Sequence, residues 1–280
     1  MTETLPEVAV RDAPPEIAAI YDRIMETTGV GSPALIYRHF AVYPGLLEWV
    51  WETVGPELES GRALAHALDA VRATNVVPLP PVSQAEMRST GVDEDGQDMI
   101  GAMLTTYNRM NPVNLSLITA IRDLIDPAAE TAETPSPLPE IPIAPTLTPV
   151  KLPAPIDLNA MPVHVRETVL ALSAAIPSPG TQVIPTLYRH LAIWPDFLMH
   201  LAPGLLAAMR KGEVEARMND LNANMRPLID DVASRAKGAA PAPLEDPAAM
   251  VRTLNSFLYT IPQLVVVGTA LRAALPIYDA

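Results

Sequence analysis

Residues 36–47 read IYRHFAVYPGLL, and residues 187–198 read LYRHLAIWPDFL. Six of the twelve positions are identical, and five of the others exchange one apolar residue for another. A second match follows at nearly the same offset, where Asn111-Pro112 corresponds to Ile261-Pro262. This offset of about 150 residues is far longer than a solenoid unit of roughly 20–50 residues. The chain is therefore predicted to be a duplicated domain, folded as a pseudo-dimer of two homologous repeats.

Apolar spacing predicts that both repeats are helical. The apolar residues between Ile17 and Ile24, and those between Val165 and Ile176, recur every three or four positions, as on one face of a helix. Ser83 followed by Glu86 is typical of a capping box at a helix start. Sustained strand-like alternation is absent from the sequence. We expect an all-α fold with about six helices in each repeat.

A proline-rich stretch separates the two repeats. Nine prolines occur from Pro127 to Pro155, a density that stops helices and sheet ladders and favours an extended chain. The predicted organisation is a first helical repeat at residues 1–126, a Pro-rich linker at 127–155 and a second helical repeat at 156–280.

Composition excludes several classes of function. The chain has 19 basic and 32 acidic residues, a net charge of −13, which disfavours nucleic acid and anionic membranes as partners. It has no cysteine, which excludes disulfides, thiol nucleophiles and thiolate metal sites. No phosphate loop or dinucleotide motif is present, and the histidines lack the spacing of a metal site, so we expect no cofactor and no metal. The chain is either a monomer or a homo-oligomer.

Two features bear on the compartment. The first ten residues, MTETLPEVAV, carry acidic residues where a secretory signal needs positive charge. The apolar stretch from Leu264 to Ile277 is shorter than the roughly 20 residues of a membrane span and contains Arg272. We expect a buried helix there and a cytoplasmic protein.

The repeated Tyr-Arg-His segment supplies the first candidate site residues. On a helix, His39 and His190 each share a face with the apolar residue three positions earlier. A histidine has an ordinary pKa near 6.5, so either imidazole could activate water at neutral pH, with help from Tyr37 or Tyr188. The alternative is that the segment is structural, with packed tyrosines and hydrogen-bonded core histidines.

Asn108 and Asn111 supply the second candidates, in the segment YNRMNP. An asparagine before a proline is also what a helix N-cap looks like, which would give Asn111 a purely structural role. Against this, the second repeat has Leu258 and Ile261 at the matching positions, so the shared backbone does not require asparagine there. A duplicated fold with one functional site must become polar on one side only, which favours a functional role for both asparagines.

These residues also carry a family resemblance. Two helical repeats with a connector, an aromatic-proline pair in each repeat and the segment YNRMNPVNLSLITAI at residues 107–121 resemble the group I 2-haloacid dehalogenases, the DehI type. The resemblance covers most of the chain. It implies a cofactor-free hydrolase of small 2-haloalkanoic acids, in which an aspartate of the second repeat activates water that attacks the halogenated carbon directly. The partner that the resemblance implies is therefore a small-molecule carboxylic acid.

The resemblance also assigns individual positions. The active-site asparagine of the family corresponds to Asn111, and its catalytic aspartate, seven residues before the Trp of Trp-Pro, corresponds to Leu187. Aromatic residues of the family pocket correspond to Ser32 and Leu35, and a pocket threonine corresponds to Ser60. Because leucine cannot accept a proton, we expect the usual reaction to be altered or absent.

Two hypotheses about function follow. The first is a dehalogenase-like hydrolase in which His39 or His190 replaces the aspartate and acts beside Asn111. The expected substrate contacts are Asn108, Tyr37, Tyr188, Leu187 and Ser60. The second is a non-dehalogenating homologue that binds a small molecule or has a structural role. The hydrolase hypothesis requires the histidines and asparagines to converge on one enclosed cavity.

Overall fold

The structure, a computed structural model, describes residues 5–126, 128–129, 137–145, 148, 150–176 and 184–276. These residues form eleven α-helices and two short 3-10 turns, and no β-strand occurs among them. The helices of the first half are α1 (Pro15–Thr28), α2 (Leu35–Phe40), α3 (Leu46–Glu59), α4 (Arg62–Arg72), α5 (Gln84–Ser89) and α6 (Glu94–Ile125). Those of the second half are α7 (Val163–Ala174), α8 (Thr186–Leu191), α9 (Pro195–Arg210), α10 (Glu213–Arg235) and α11 (Pro247–Ala274). The predicted all-α fold is confirmed.

The two halves differ in helix number. The prediction of about six helices in each half is correct for the first half, but the described part of the second half has five. The difference arises between α4 and α6, where Pro78, Pro80 and Pro81 interrupt the helix and leave the short α5 behind them. Ser83 caps α5 with the predicted capping box, reciprocally with Glu86. In the second half α10 is followed directly by α11, with no helix in the described residues between them.

Helices α6 and α11 are the longest in the protein and pack against each other at its centre. Both continue through a proline, Pro112 in α6 and Pro262 in α11. The alternative in which Asn111 caps a helix start is therefore excluded, because Asn111 lies in the interior of α6. Each proline removes one backbone hydrogen bond, and the burial of the helix against its neighbours offsets that loss.

Asn108 of α6 contacts α11 at Gly268. A Cβ atom added there would lie 2.1 Å from Oδ1 of Asn108 on α6. The Asn108 Nδ2 donates a hydrogen bond to the Gly268 carbonyl at 3.1 Å. Asn108 therefore fills the space that the absent side chain of Gly268 leaves, and it holds the two halves together.

Helix α11 has the length and composition of a membrane span, but 78% of its most apolar 18-residue stretch is buried inside the protein. Burial of this kind is typical of a core helix in a globular protein. The prediction of a buried helix from Leu264 onward is thus confirmed as far as Ala274, whereas Ile277 lies outside the described residues.

The described parts of the connector are extended and lie against both halves. The carbonyl of Pro145 accepts a hydrogen bond from the buried Arg109 guanidinium of α6. Val150 forms an isolated parallel bridge with Val30, just after α1. Leu152 packs against the main hydrophobic core. The connector is therefore part of the packed structure rather than a free spacer.

Candidate functional site

A cavity of about 440 Å³ lies where the two halves and the connector meet. One side is formed by residues within 30–38 and by 106–114 of α6. The other side is formed by residues within 184–190 and by 257–264 of α11, and connector residues 151–155 complete the wall. The volume falls within the roughly 300–1,000 Å³ of small-molecule sites.

The cavity wall is largely apolar and contains no carboxylate among the described residues. Its polar side chains are Ser32, Arg38, Thr106, Tyr107, Asn111, Asn114, Lys151, Thr186, His190 and Thr260. Residues 177–183, which precede Ile184 in the chain, contain no Asp or Glu in their sequence. Among the described lining residues, the side chains that can act as a general base are those of Tyr107, Lys151 and His190.

His190 lines the cavity, but both of its ring nitrogens are already bonded. Nε2 lies 2.9 Å from the Pro153 carbonyl, which can only accept, so Nε2 carries the proton. Nδ1 then accepts from the Tyr107 hydroxyl at 2.8 Å. Burial lowers the pKa of His190, and the bond to Pro153 opposes this shift only in part. The imidazole is held neutral between the connector and α6.

Tyr107 joins this arrangement from α6 and also lines the cavity. Burial raises the pKa of its hydroxyl above the ordinary value, and a hydrogen bond with Thr186 and the charge of Arg189 offset only part of the shift. The phenol therefore remains protonated at neutral pH and serves as a donor to His190.

His39 has the same local sequence as His190 but does not line the cavity. It is 1% exposed, and its Nδ1 donates to the Pro6 carbonyl at 2.7 Å. Its ring also packs edge-on against Tyr43, with centroids 5.4 Å apart. Its Nε2 is buried without a partner. The structure thus separates the two predicted catalytic histidines and leaves His190 alone at the cavity.

Asn111 and Asn108 are separated in the same way. Asn111 lines the cavity, is 8% exposed, and its Nδ2 is buried with no hydrogen-bond partner. Asn108 does not line the cavity, and its Nδ2 donates a hydrogen bond to the Gly268 carbonyl instead. Across the cavity, the position matching Asn111 is the apolar Ile261. The unpaired amide donor of Asn111 is a polar group that a ligand in this cavity could satisfy.

Tyr37 and Tyr188 lie behind the cavity wall rather than in it. Tyr37 is 1% exposed and donates to Oδ1 of the cavity residue Asn114 at 3.1 Å. Tyr188 is fully buried and accepts from Nε2 of Gln263 at 3.1 Å. Burial raises the pKa of both phenols. They orient neighbouring amides and have no access to a ligand.

Leu187 and Ser60 also lie away from the cavity. Leu187 is fully buried in the core, whereas its neighbour Thr186 lines the cavity. Ser60 is exposed after the end of α3, where its hydroxyl donates to the Glu57 carbonyl at 3.1 Å. Of the two pocket positions that the resemblance assigned to aromatic residues, Ser32 and Leu35, both line the cavity.

Several cavity residues were missed by sequence reasoning. Tyr107 and Asn114 lie four residues before and three after Asn111, so helical spacing could have placed them on its face. Thr186 and Lys151 carried no such signal, because the contacts of an extended connector depend on distant parts of the chain. No group of three or more potential metal-ligating side chains occurs within the described ranges.

The two cavity asparagines should respond oppositely to replacement by leucine. Asn111→Leu removes an unpaired buried amide, so we expect the free energy of unfolding to rise by about 1 kcal/mol. Asn114→Leu leaves the buried Tyr37 hydroxyl without its acceptor, so we expect a fall of about 1–3 kcal/mol. Urea denaturation monitored by circular dichroism measures both. A destabilised Asn111→Leu variant would contradict the absence of a partner for the Asn111 amide.

The chain shares its fold with solved structures of D-2-haloacid dehalogenase. A D-2-haloacid dehalogenase mutant superimposes with a TM-score of 0.73 at 17% identity, covering 97% of this chain and 96% of that chain. The same values hold for a complex of a D-2-haloacid dehalogenase mutant with D-2-CPA. The complex of D-2-haloacid dehalogenase with L-LA gives a TM-score of 0.71 at the same identity and coverage.

At this identity the likeness establishes a common fold, which confirms the fold that the resemblance implied. No protein-family model and no curated protein matches the sequence.

Proposed function

We propose that this protein binds a small, largely apolar organic acid in the cavity between its two halves and does not hydrolyse it. The observation that carries the proposal is the cavity wall, which encloses about 440 Å³ and contains no carboxylate among the described residues. Hydrolysis by direct water attack needs a base within hydrogen-bond reach of the water. The imidazole at the cavity, His190, is occupied at both nitrogens.

Ligand binding should stabilise the protein measurably. At a concentration of about 100 times Kd, a ligand that binds only the folded state adds about 2.7 kcal/mol to the free energy of unfolding. For a chain of this size we expect a rise in Tm of about 5–10 °C. Differential scanning fluorimetry against small aliphatic and aromatic acids, amides and alcohols measures this shift.

Variants of two adjacent threonines test whether the rise in Tm comes from binding in the cavity. Thr106 lines the cavity, so Thr106→Phe should place a phenyl ring in it and reduce the shift. Thr105 is exposed on the same helix, so Thr105→Phe should leave the shift unchanged. If no compound raises Tm, or if Thr106→Phe leaves the shift unchanged, the proposal is wrong.

The same protein should release no chloride from either enantiomer of 2-chloropropionate. Turnover would favour a second candidate function, the hydrolysis of a 2-haloalkanoic acid, which the shared fold and the Tyr107–His190 pair support. In that reaction water attacks C2 and halide leaves with the bonding electrons. The water proton passes to the Tyr107 oxygen while the Tyr107 proton passes to His190 Nδ1.

Three variants distinguish hydrolysis through the Tyr107–His190 pair from background chloride release. Chloride release that disappears in Tyr107→Phe and His190→Ala, but survives in His39→Ala, would establish the relay, because His39 does not line the cavity. Turnover unchanged in all three variants would exclude a relay through Tyr107 and His190.

A further inference from the structure

The charges on the cavity wall are unbalanced. Arg38 and Lys151 are its two cations, and no acidic side chain joins them among the described lining residues. The charge of Arg38 is compensated by Glu7, whose Oε2 lies 3.1 Å from Nη2. Lys151 is exposed and has no ion-pair partner in the described part of the chain. In a protein with a net charge of −13, this cavity therefore carries an uncompensated positive group.

Two further donors on the same wall lack acceptors. The Nε of Arg38 and the Nδ2 of Asn111 are both buried without a hydrogen-bond partner. Both residues lie on the first-half side of the cavity, on α2 and α6. An unpaired buried donor is costly to the folded protein, so a ligand that brings oxygen acceptors to this side relieves that cost.

The opposite side offers apolar surface. On α11 the cavity is lined by Phe257, Ile261 and Leu264, and Ile184 and Pro185 continue this surface at the start of α8. Burying apolar ligand surface against such a wall favours binding. The cavity is thus polar and cationic on the side of α2, α6 and the connector, and apolar on the side of α11.

From this arrangement we infer that the ligand is a medium-chain monocarboxylate, with its carboxylate paired to Lys151 and its hydrocarbon chain against Phe257, Ile261 and Leu264. This inference rests on the proposed function and names the ligand class of that cavity. It makes Lys151 of the connector the residue that selects a charged head group over a neutral one.

Octanoate and octanamide test the inference because they have the same length and differ in head-group charge. Isothermal titration calorimetry should show that octanoate binds about threefold more tightly than octanamide, the scale of a partly exposed ion pair. Lys151→Gln should remove this preference. Lys211→Gln, which removes a lysine outside the cavity, should retain it.

The possible outcomes distinguish a failure of the inferred ligand class from a failure of the proposed binding function. Equal binding of both compounds that Thr106→Phe weakens would leave the cavity as a binding site and overturn the role of Lys151. Binding of neither compound would overturn the inference, and the proposed function would then depend on the wider compound panel. A preference for octanoate that persists in Lys151→Gln would also overturn it.

Trypsin gives an independent readout of the same contact. Lys151 is the only Lys or Arg between Arg122 and Arg166, so cleavage after it divides the chain into two recognisable fragments. Bound octanoate should slow cleavage at Lys151 in the intact protein, while octanamide at the same occupancy should slow it less. Equal rates with and without octanoate would contradict the placement of the carboxylate at Lys151.

Discussion

Leu187→Asp should lower the free energy of unfolding by about 4 kcal/mol and should give no hydrolytic activity. Leu187 is fully buried, so the substitution loses the packing of a core leucine, which alone costs about 2–5 kcal/mol. It also buries a carboxyl group with no partner. Leu187 does not line the cavity, so the new carboxylate cannot reach a ligand there.

The pH dependence of this loss has a definite sign. An unpaired buried carboxyl group has its pKa raised above the ordinary value of about 3.9. The unfolded state therefore loses its proton first, and the stability deficit of Leu187→Asp should grow as pH rises above about 4. Guanidinium denaturation at pH 4, 5.5 and 7 measures the trend.

Thr186→Asp is the matched control for this substitution. Thr186 is the first residue of α8, is only partly buried and lines the cavity, so a carboxylate there should cost less than about 1 kcal/mol. Similar losses of stability in the two variants would contradict the separation of these neighbouring positions. Chloride release by Leu187→Asp would likewise show that position 187 reaches the ligand.

Gly268→Ala should lower the free energy of unfolding by about 2 kcal/mol, the scale of overpacking in a tight core. The new Cβ would lie 2.1 Å from Asn108 Oδ1, so the Asn108 amide must move. Its hydrogen bond to the Gly268 carbonyl is then lost. The higher helix propensity of alanine, worth up to about 1 kcal/mol, offsets only part of this. Thermal unfolding should show a Tm lower by about 4–8 °C.

A double-mutant cycle identifies the cause of this loss. In an Asn108→Ala background the space opposite position 268 is open, so Gly268→Ala should cost less than about 0.5 kcal/mol there. An equal loss in both backgrounds would mean that Asn108 is not the group that the new methyl displaces.

Much of the fold could be predicted along the chain. Apolar spacing around Ile17 and Val165 indicated helices that the structure contains as α1 and α7. The alternative in which Asn111-Pro112 starts a helix is excluded, because the packing of α6 against α11 overrides the local preference of proline. The duplication itself stays a prediction from the repeated sequence.

The candidate site was predictable only in part. Asn111 was singled out because its counterpart Ile261 is apolar, and both residues line the cavity. Tyr37 and Tyr188 were proposed as ligand contacts because they belong to the repeated segment, and Leu187 because the resemblance aligns it with the catalytic aspartate of the family. Their side chains are instead buried behind the wall, since a short helix exposes only one face to a cavity.

The all-α fold class, the acidic charge and the polar character of position 111 could all be predicted from the sequence, because periodicity and residue identity are local properties. The different positions of His39 and His190 relative to the cavity could not be predicted, because both residues belong to copies of the same Tyr-Arg-His segment. Each histidine bonds a proline carbonyl, that of Pro6 or that of Pro153, yet only His190 lines the cavity. Identical local sequences acquire different surroundings because the groups packed around them come from distant parts of the chain. Here those groups are connector residues 151–155 and Tyr107 of α6.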